Sequence, residues 1–325
     1  MNVQHSEQTS ILSLFDLLVP EKSNRTLHID PTPKRHWWCP VTIFGHEAPK
    51  EWQLLTLKHP AAPGTPIVDT HTELTSTFRR YRKSYPDTEF KYLHSFVRGL
   101  YGKAKVGAIV DVWEWDEVPE SMAWKELADS AVKEEERVAK WGRVGYWFIL
   151  VLSRLYADTY IDHVEQETVE AMQHPRCVGW GMIGLHYASR FAPPHGKDTE
   201  RILKTEVPRD HPLYMPCYTV TREMALRLLE HFLNFYFGIS VLSLHAPRQA
   251  PHLADEPFPM HILLETDRHF NSVPSKVYTH LNDLRRCVKG QTSHTGMIPW
   301  TVDRVARQQR VMKVARENAR KVYGM

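Results

Sequence analysis

The chain has 325 residues, 42% hydrophobic and 24% charged, with a formal net charge of +3. That is the composition of a soluble globular protein, long enough for one large domain or two ordinary ones. It excludes an argument for a nucleic-acid partner from charge alone.

In chain order, the first apolar run is "ILSLFDLLVP", which Asp16 interrupts and no basic region precedes. It is too short to span a bilayer and a poor signal peptide. Residues 1–65 carry Pro20, Pro31, Pro33, Pro40, Pro49, Pro60 and Pro63 with little periodicity, and are expected to form an irregular arm. The aromatics of "RHWWCPVTIF" suit docking of that arm onto the main domain. The four cysteines, Cys39, Cys177, Cys217 and Cys287, have neither zinc-finger nor disulfide-framework spacing. A reducing compartment follows, the cytoplasm first and the nucleus as the alternative. Nineteen histidines make a metal or acid–base site worth seeking.

From Pro66 the pattern changes. Apolar, β-branched runs recur as "PIVDTH" (66–71), "VGAIVDVW" (106–113), "GYWFILVL" (145–152), "CVGWGMIGL" (177–185), "PLYMPCY" (212–218), "FYFGISVL" (235–242) and "HILLETD" (261–267). Helical stretches lie between them: "WKELADSAVKEEERVAKWG", "IDHVEQETVEAMQ", "DTERILKTEV" and "TREMALRLLEHFLN". A last helix, "TVDRVARQQRVMKVARENARKVYG", stops at Gly324. Apolar strands alternating with helices predict a parallel sheet with crossover connections, and seven of them point to a (β/α) barrel over residues 66–325.

In such a barrel the active site lies at the C-terminal ends of the strands. The first strand ends with Asp69, His71 and Glu73 on one face, and His71 with Glu73 offers an imidazole and a carboxylate to a divalent ion. The plain alternative is a polar strand end bonded to neighbouring turns. The last strand ends with Glu265 and Asp267, a ligand or general-base pair, or else the cap of a following helix.

Five segments together carry a family resemblance: "IVDTHTEL", "PRCVGWGMIGLHY", "PCYT", "ILLETD" and "RVMKVARENARKVYG". In this order they resemble the TatD family of metal-dependent hydrolases, in the amidohydrolase superfamily. The resemblance implies a TIM-type (β/α)8 barrel, two divalent metals, and phosphodiester hydrolysis as a deoxyribonuclease, with metals that activate water and clamp phosphate. It covers residues 66–325.

Carried over residue by residue, the family's ligand set is mostly replaced. In the family's D-x-H-x-H strand His71 stands, and Glu73 takes the place of the second histidine. Met182 occupies the position of the metal-bridging glutamate, and His186 that of an aspartate; a thioether is a soft ligand for a hard ion. The unit ending in H-x-R-E-A is missing, because only "ASRFAPPHGK" separates Tyr187 from the next helix. Pro216 replaces the histidine of H-C-F, "LSRLYAD" replaces the third strand's H-P-H end, and Asp267 survives.

The expected barrel therefore has its fifth βα unit deleted or rebuilt, with strands left as edges. His71, Glu73 and Asp267 are the candidate metal ligands and Asp267 the candidate catalytic residue, for at most one Mg, Mn or Zn ion. His186 and His195 could rebuild a site, although most isolated histidines are not ligands. The implied function is an impaired TatD-like hydrolase acting on DNA or another phosphodiester. Its alternative is a catalytically inactive pseudoenzyme that binds or regulates. The basic residues Arg304, Arg307, Arg310, Lys313, Arg316, Arg320 and Lys321 are expected to be the solvated face of an outer helix rather than a phosphate-binding stripe. No membrane partner is expected, and no protein partner is indicated.

Overall fold

The computed structural model describes residues 51, 66–102, 106–115, 123–152, 162–181, 195–218, 220–239, 260–265 and 304–325. The chain divides into a unit Met1–Ala48, outside the described residues, and a unit Pro49–Met325 that contains all of them. The irregular arm expected over residues 1–65 thus lies outside the description except at Glu51, which accepts a 2.5 Å hydrogen bond from the Tyr81 hydroxyl.

Each of the seven apolar runs forms a strand: β1 (Ile67–Thr72), β2 (Val106–Trp115), β3 (Gly145–Leu152), β4 (Cys177–Gly181), β5 (Leu213–Met215), β6 (Phe235–Ile239) and β7 (Ile262–Leu264). They make one sheet in the order β4-β3-β2-β1-β7-β6-β5, and every pairing is parallel. Among the described residues no ladder joins β4 to β5, so the barrel-like sheet is unclosed there. That is where the family resemblance implies a βα unit deleted or rebuilt.

The helices are α1 (Leu74–Ser84), α2 (Leu93–Phe96), α3 (Ala123–Asp129), α4 (Glu134–Trp141), α5 (Asp162–Gln173), α6 (His195–Glu206), α7 (Arg222–His231) and α8 (Arg304–Tyr323). The stretch "WKELADSAVKEEERVAKWG" is two helices rather than one. Ser130 is the reason: its hydroxyl bonds back to the Leu127 carbonyl at 2.7 Å and accepts the Trp141 indole N–H at 2.9 Å. A serine engaged this way competes with the helical ladder, and Trp141 needs an acceptor because it is fully buried. Thr221 caps α7 by accepting the Met224 N–H at 3.3 Å. Gly324 ends α8 in the left-handed region at φ +66°, where a residue without Cβ is favoured.

Two faces of the sheet are covered differently. On one, Trp141 of α4 stacks on Tyr146 with centroids 4.4 Å apart, and Trp124 of α3 stacks on Phe148 at 4.9 Å. On the other, Val68, Ala108, Tyr236 and Leu263 pack with Ala319 of α8, while Val110, Val112, Ile149 and Val151 meet Tyr323 and Met325. Ala315 and Ala319, one turn apart and both buried, let α8 approach closely. Its Lys313, Arg320 and Lys321 are exposed, as a solvated face requires. The side chains of Arg304, Arg307 and Arg310 lie outside the description.

Candidate functional site

The C-terminal end of β1 carries the densest polar cluster. Asp69, Thr70, His71, Thr72 and Glu73 are all buried, His71 to 3% and Glu73 to 8% exposure. The His71 backbone N–H reaches Asp69 Oδ1 at 3.5 Å, and Glu73 stands at the N-cap of α1, accepting the Ser76 hydroxyl at 3.3 Å.

Beside it on β2 lies Asp111, 1% exposed. One of its oxygens accepts the Leu74 N–H at 2.8 Å and the Thr72 hydroxyl at 3.2 Å, and the other accepts the Tyr146 hydroxyl at 3.1 Å. The Trp113 indole N–H donates to Tyr146 at 3.0 Å. Burial pushes the Asp111 carboxyl up to about 7, although its donors, led by the Leu74 N–H, oppose the rise. Burial, then the neighbouring Asp111 charge, raises Tyr146 well above an ordinary phenol. Sequence reasoning did not single out Asp111, yet a lone aspartate inside the apolar run "VGAIVDVW" was the signal.

A second cluster joins β7 to β5 and β6. Glu265, 2% exposed, accepts the Tyr214 hydroxyl and the Cys217 backbone N–H, the latter at 2.5 Å. The Thr70 hydroxyl donates to the Leu264 carbonyl at 3.0 Å and lies 3.2 Å from the Tyr214 hydroxyl. Cys217 sits at φ +50°, a left-handed conformation uncommon outside glycine. The turn is held there by its N–H on Glu265 and by the Tyr218 N–H on the Gly238 carbonyl at 2.8 Å. Gly238 is required at its place, because a Cβ there would collide with the Glu265 carboxylate and the Tyr214 hydroxyl. Tyr323 of α8 completes the cluster, its hydroxyl 3.4 Å from the Thr70 carbonyl.

The expected site residues fall as follows. His71 and Glu73 are placed at the end of β1 and buried. Pro216 is half-buried in the turn after β5, beside the Cys217 that binds Glu265. Met182, His186 and Asp267 lie outside the described residues, as does the side chain of His195, whose backbone begins α6. Among the described residues, no three His, Cys, Asp or Glu side chains come together as a metal site. Of the three expected ligands, His71 and Glu73 are the two that fall among the described residues. Cys177 is a free thiol, and burial pushes it up to about 11, away from nucleophilic use. No helix among the described residues is long and apolar enough to cross a membrane.

No protein-family model matches the chain. A human protein, "3'-5' RNA nuclease TATDN2", is 22% identical over 293 residues, which cover 80% of this chain and 35% of the relative. The chain therefore spans about a third of that relative's length. A TatD family hydrolase from Entamoeba histolytica superposes with a TM-score of 0.50 at 12% identity, over 80% of this chain and 98% of that one. An uncharacterized amidohydrolase from Saccharomyces cerevisiae superposes with a TM-score of 0.53 at 12% identity, over 80% of this chain and all of that one. The two superpositions speak for the fold alone, and they agree with the parallel order of the seven strands. Together with the sequence match, they support the chain's resemblance to TatD family hydrolases.

Proposed function

We propose that the chain is a TatD-like hydrolase of phosphodiester bonds in nucleic acid, impaired relative to a two-metal enzyme. The observation that supports this most is the buried pair His71 and Glu73 at the C-terminal end of β1, where barrels of this type place their chemistry. A human relative named as an RNA nuclease makes RNA, beside DNA, the substrate class to test first. In this reading His71, Glu73 and Asp267 would hold at most one Mg, Mn or Zn ion, with Asp267 as the catalytic residue. A bound ion would supply Lewis-acid activation of water and phosphate. Thr72 and Asp111 hold the strand exit on which the first two ligands stand. A free thiol at Cys177 fits a reducing compartment, the cytoplasm and also the nucleus.

The second reading is a catalytically inactive binding protein. It is favoured by Glu265, a strand-end carboxylate whose oxygens are engaged by Tyr214 and the Cys217 N–H, and by Met182 where a bridging carboxylate belongs.

Metal content and hydrolysis of single-stranded RNA and DNA in added Mg²⁺, Mn²⁺ or Zn²⁺ separate the two. The hydrolase reading expects one ion per chain at most, and hydrolysis abolished by His71→Ala, Glu73→Ala or Asp267→Ala. Purified protein with no bound ion and no hydrolysis in any of the three metals would sink it and leave the binding reading. Met182→Glu alone is expected to restore nothing, because Pro216 and the absent βα unit remain.

A further inference from the structure

Helix α1 starts without a cap of its own. Glu73 holds the N-cap position, but its side chain accepts none of the helix's N–H groups. The first N–H groups of a helix have no partner within it and must be met from outside. Here the Leu74 N–H is met by Asp111, 37 residues away in sequence. The same carboxylate oxygen takes the Thr72 hydroxyl, so Asp111 grips the chain on both sides of Glu73. Its second oxygen is tied to Tyr146 on β3, and Tyr146 to Trp113 on β2. The anchor therefore belongs to the best-paired part of the sheet.

Pairing along β1 does not do this work. The β1–β2 ladder shifts register between Asp69 and Thr72, the interval that contains His71. Where a ladder slips, backbone hydrogen bonds leave the position of the next residues underdetermined. Glu73 meets the helix through the Ser76 hydroxyl, and the Leu74 N–H is met from β2.

We propose that Asp111 is a positioning residue, capping α1 from the neighbouring strand and thereby fixing the exit of β1 on which His71 and Glu73 stand. Its functional meaning rests on the hydrolase reading, in which those two residues are the reactive pair; the cap itself does not. Asn at position 111 can still accept the Leu74 N–H, whereas Ala cannot.

The test uses the full chain with Asp111→Ala and Asp111→Asn, read by residue-resolved amide exchange and by the NMR signals of the His71 imidazole. Asp111→Ala is expected to raise exchange at Leu74 to Ser76 by about tenfold, the size of a lost cap, and to shift the His71 signals. Amides of β3 lose no more protection than the fall in global stability accounts for, and Asp111→Asn returns both readouts to wild type. Where Asp111→Ala does not fold, Thr72→Val removes one of the two grips and is expected to give the same pattern more weakly. Unchanged exchange at Leu74 to Ser76, or a loss spread evenly over the sheet that Asn does not rescue, overturns the proposal. Hydrolysis is measured on the same samples. Wild type without hydrolysis removes the hydrolase reading, while the exchange data still decide the cap.

Discussion

Strands β1–β4 and strands β5–β7 share one sheet but are held by different means. β2 and β3 pair over eight consecutive residues, from Ala108 with Gly145 to Trp115 with Leu152, whereas β5 and β6 pair over three and β6 and β7 over three. In the first half, stacked aromatics on Tyr146 and Phe148 and the buried Asp111 network accompany the long ladder. In the second, the short strands are tied by one carboxylate, Glu265, to a tyrosine hydroxyl and a backbone N–H. The lesson is that long ladders let a polar group specify a detail, whereas short ladders make a polar group part of the join itself.

The largest effects should fall on the first half. Trp141→Ala empties a fully buried site and removes the indole N–H that Ser130 accepts, and is expected to cost about 4 kcal/mol in denaturant unfolding. Asp111→Ala leaves the Leu74 N–H and the Thr72 and Tyr146 hydroxyls without their shared acceptor, an expected loss of about 3 kcal/mol. Should both variants prove milder than those below, the comparison between the halves is wrong.

Asp111 also sets a pH signature on that half. Its folded carboxyl keeps a proton up to about 7, while the unfolded chain releases it near 3.8. The folded state thus binds more protons in that window, so stability falls as pH rises from about 4 to about 7 and levels off above. Asp111→Asn is expected to flatten this slope in a urea titration series. A slope unchanged by the substitution would assign it to other groups.

In the second half, Gly238→Ala pushes a Cβ into the Glu265–Tyr214 contact and is expected to cost about 2 kcal/mol, with exchange rising in β5 and β7 but not in β3. The smallest effect is at the margin of the described fold. Deleting residues 1–60 removes the Glu51 acceptor of Tyr81, an expected loss of about 1 kcal/mol visible as a lower Tm.

Much of the fold was legible because apolar, β-branched runs have few alternatives to a buried strand. All seven were placed within a few residues of their observed ends. The break between α3 and α4 was not, since Ser130 terminates a helix only where the Trp141 indole arrives to bond it. At the candidate site, His71 and Glu73 could be named from their spacing, and Glu265 from its strand end. Asp111 could not be connected to them, because nothing in "VGAIVDVW" says which helix N-terminus its carboxylate will meet.

By itself, then, the sequence determined the order of strands and helices, the family resemblance and the residue types at each strand end. These are local or patterned properties, set by side-chain period and chemistry along the chain. Only the tertiary structure decided that α8 covers the face opposite α3 and α4, that Glu265 is bound by Tyr214 and Cys217, and that α1 is capped from β2. Each joins residues far apart in sequence, through hydrogen bonds and packing that exist only once the sheet has brought them within reach.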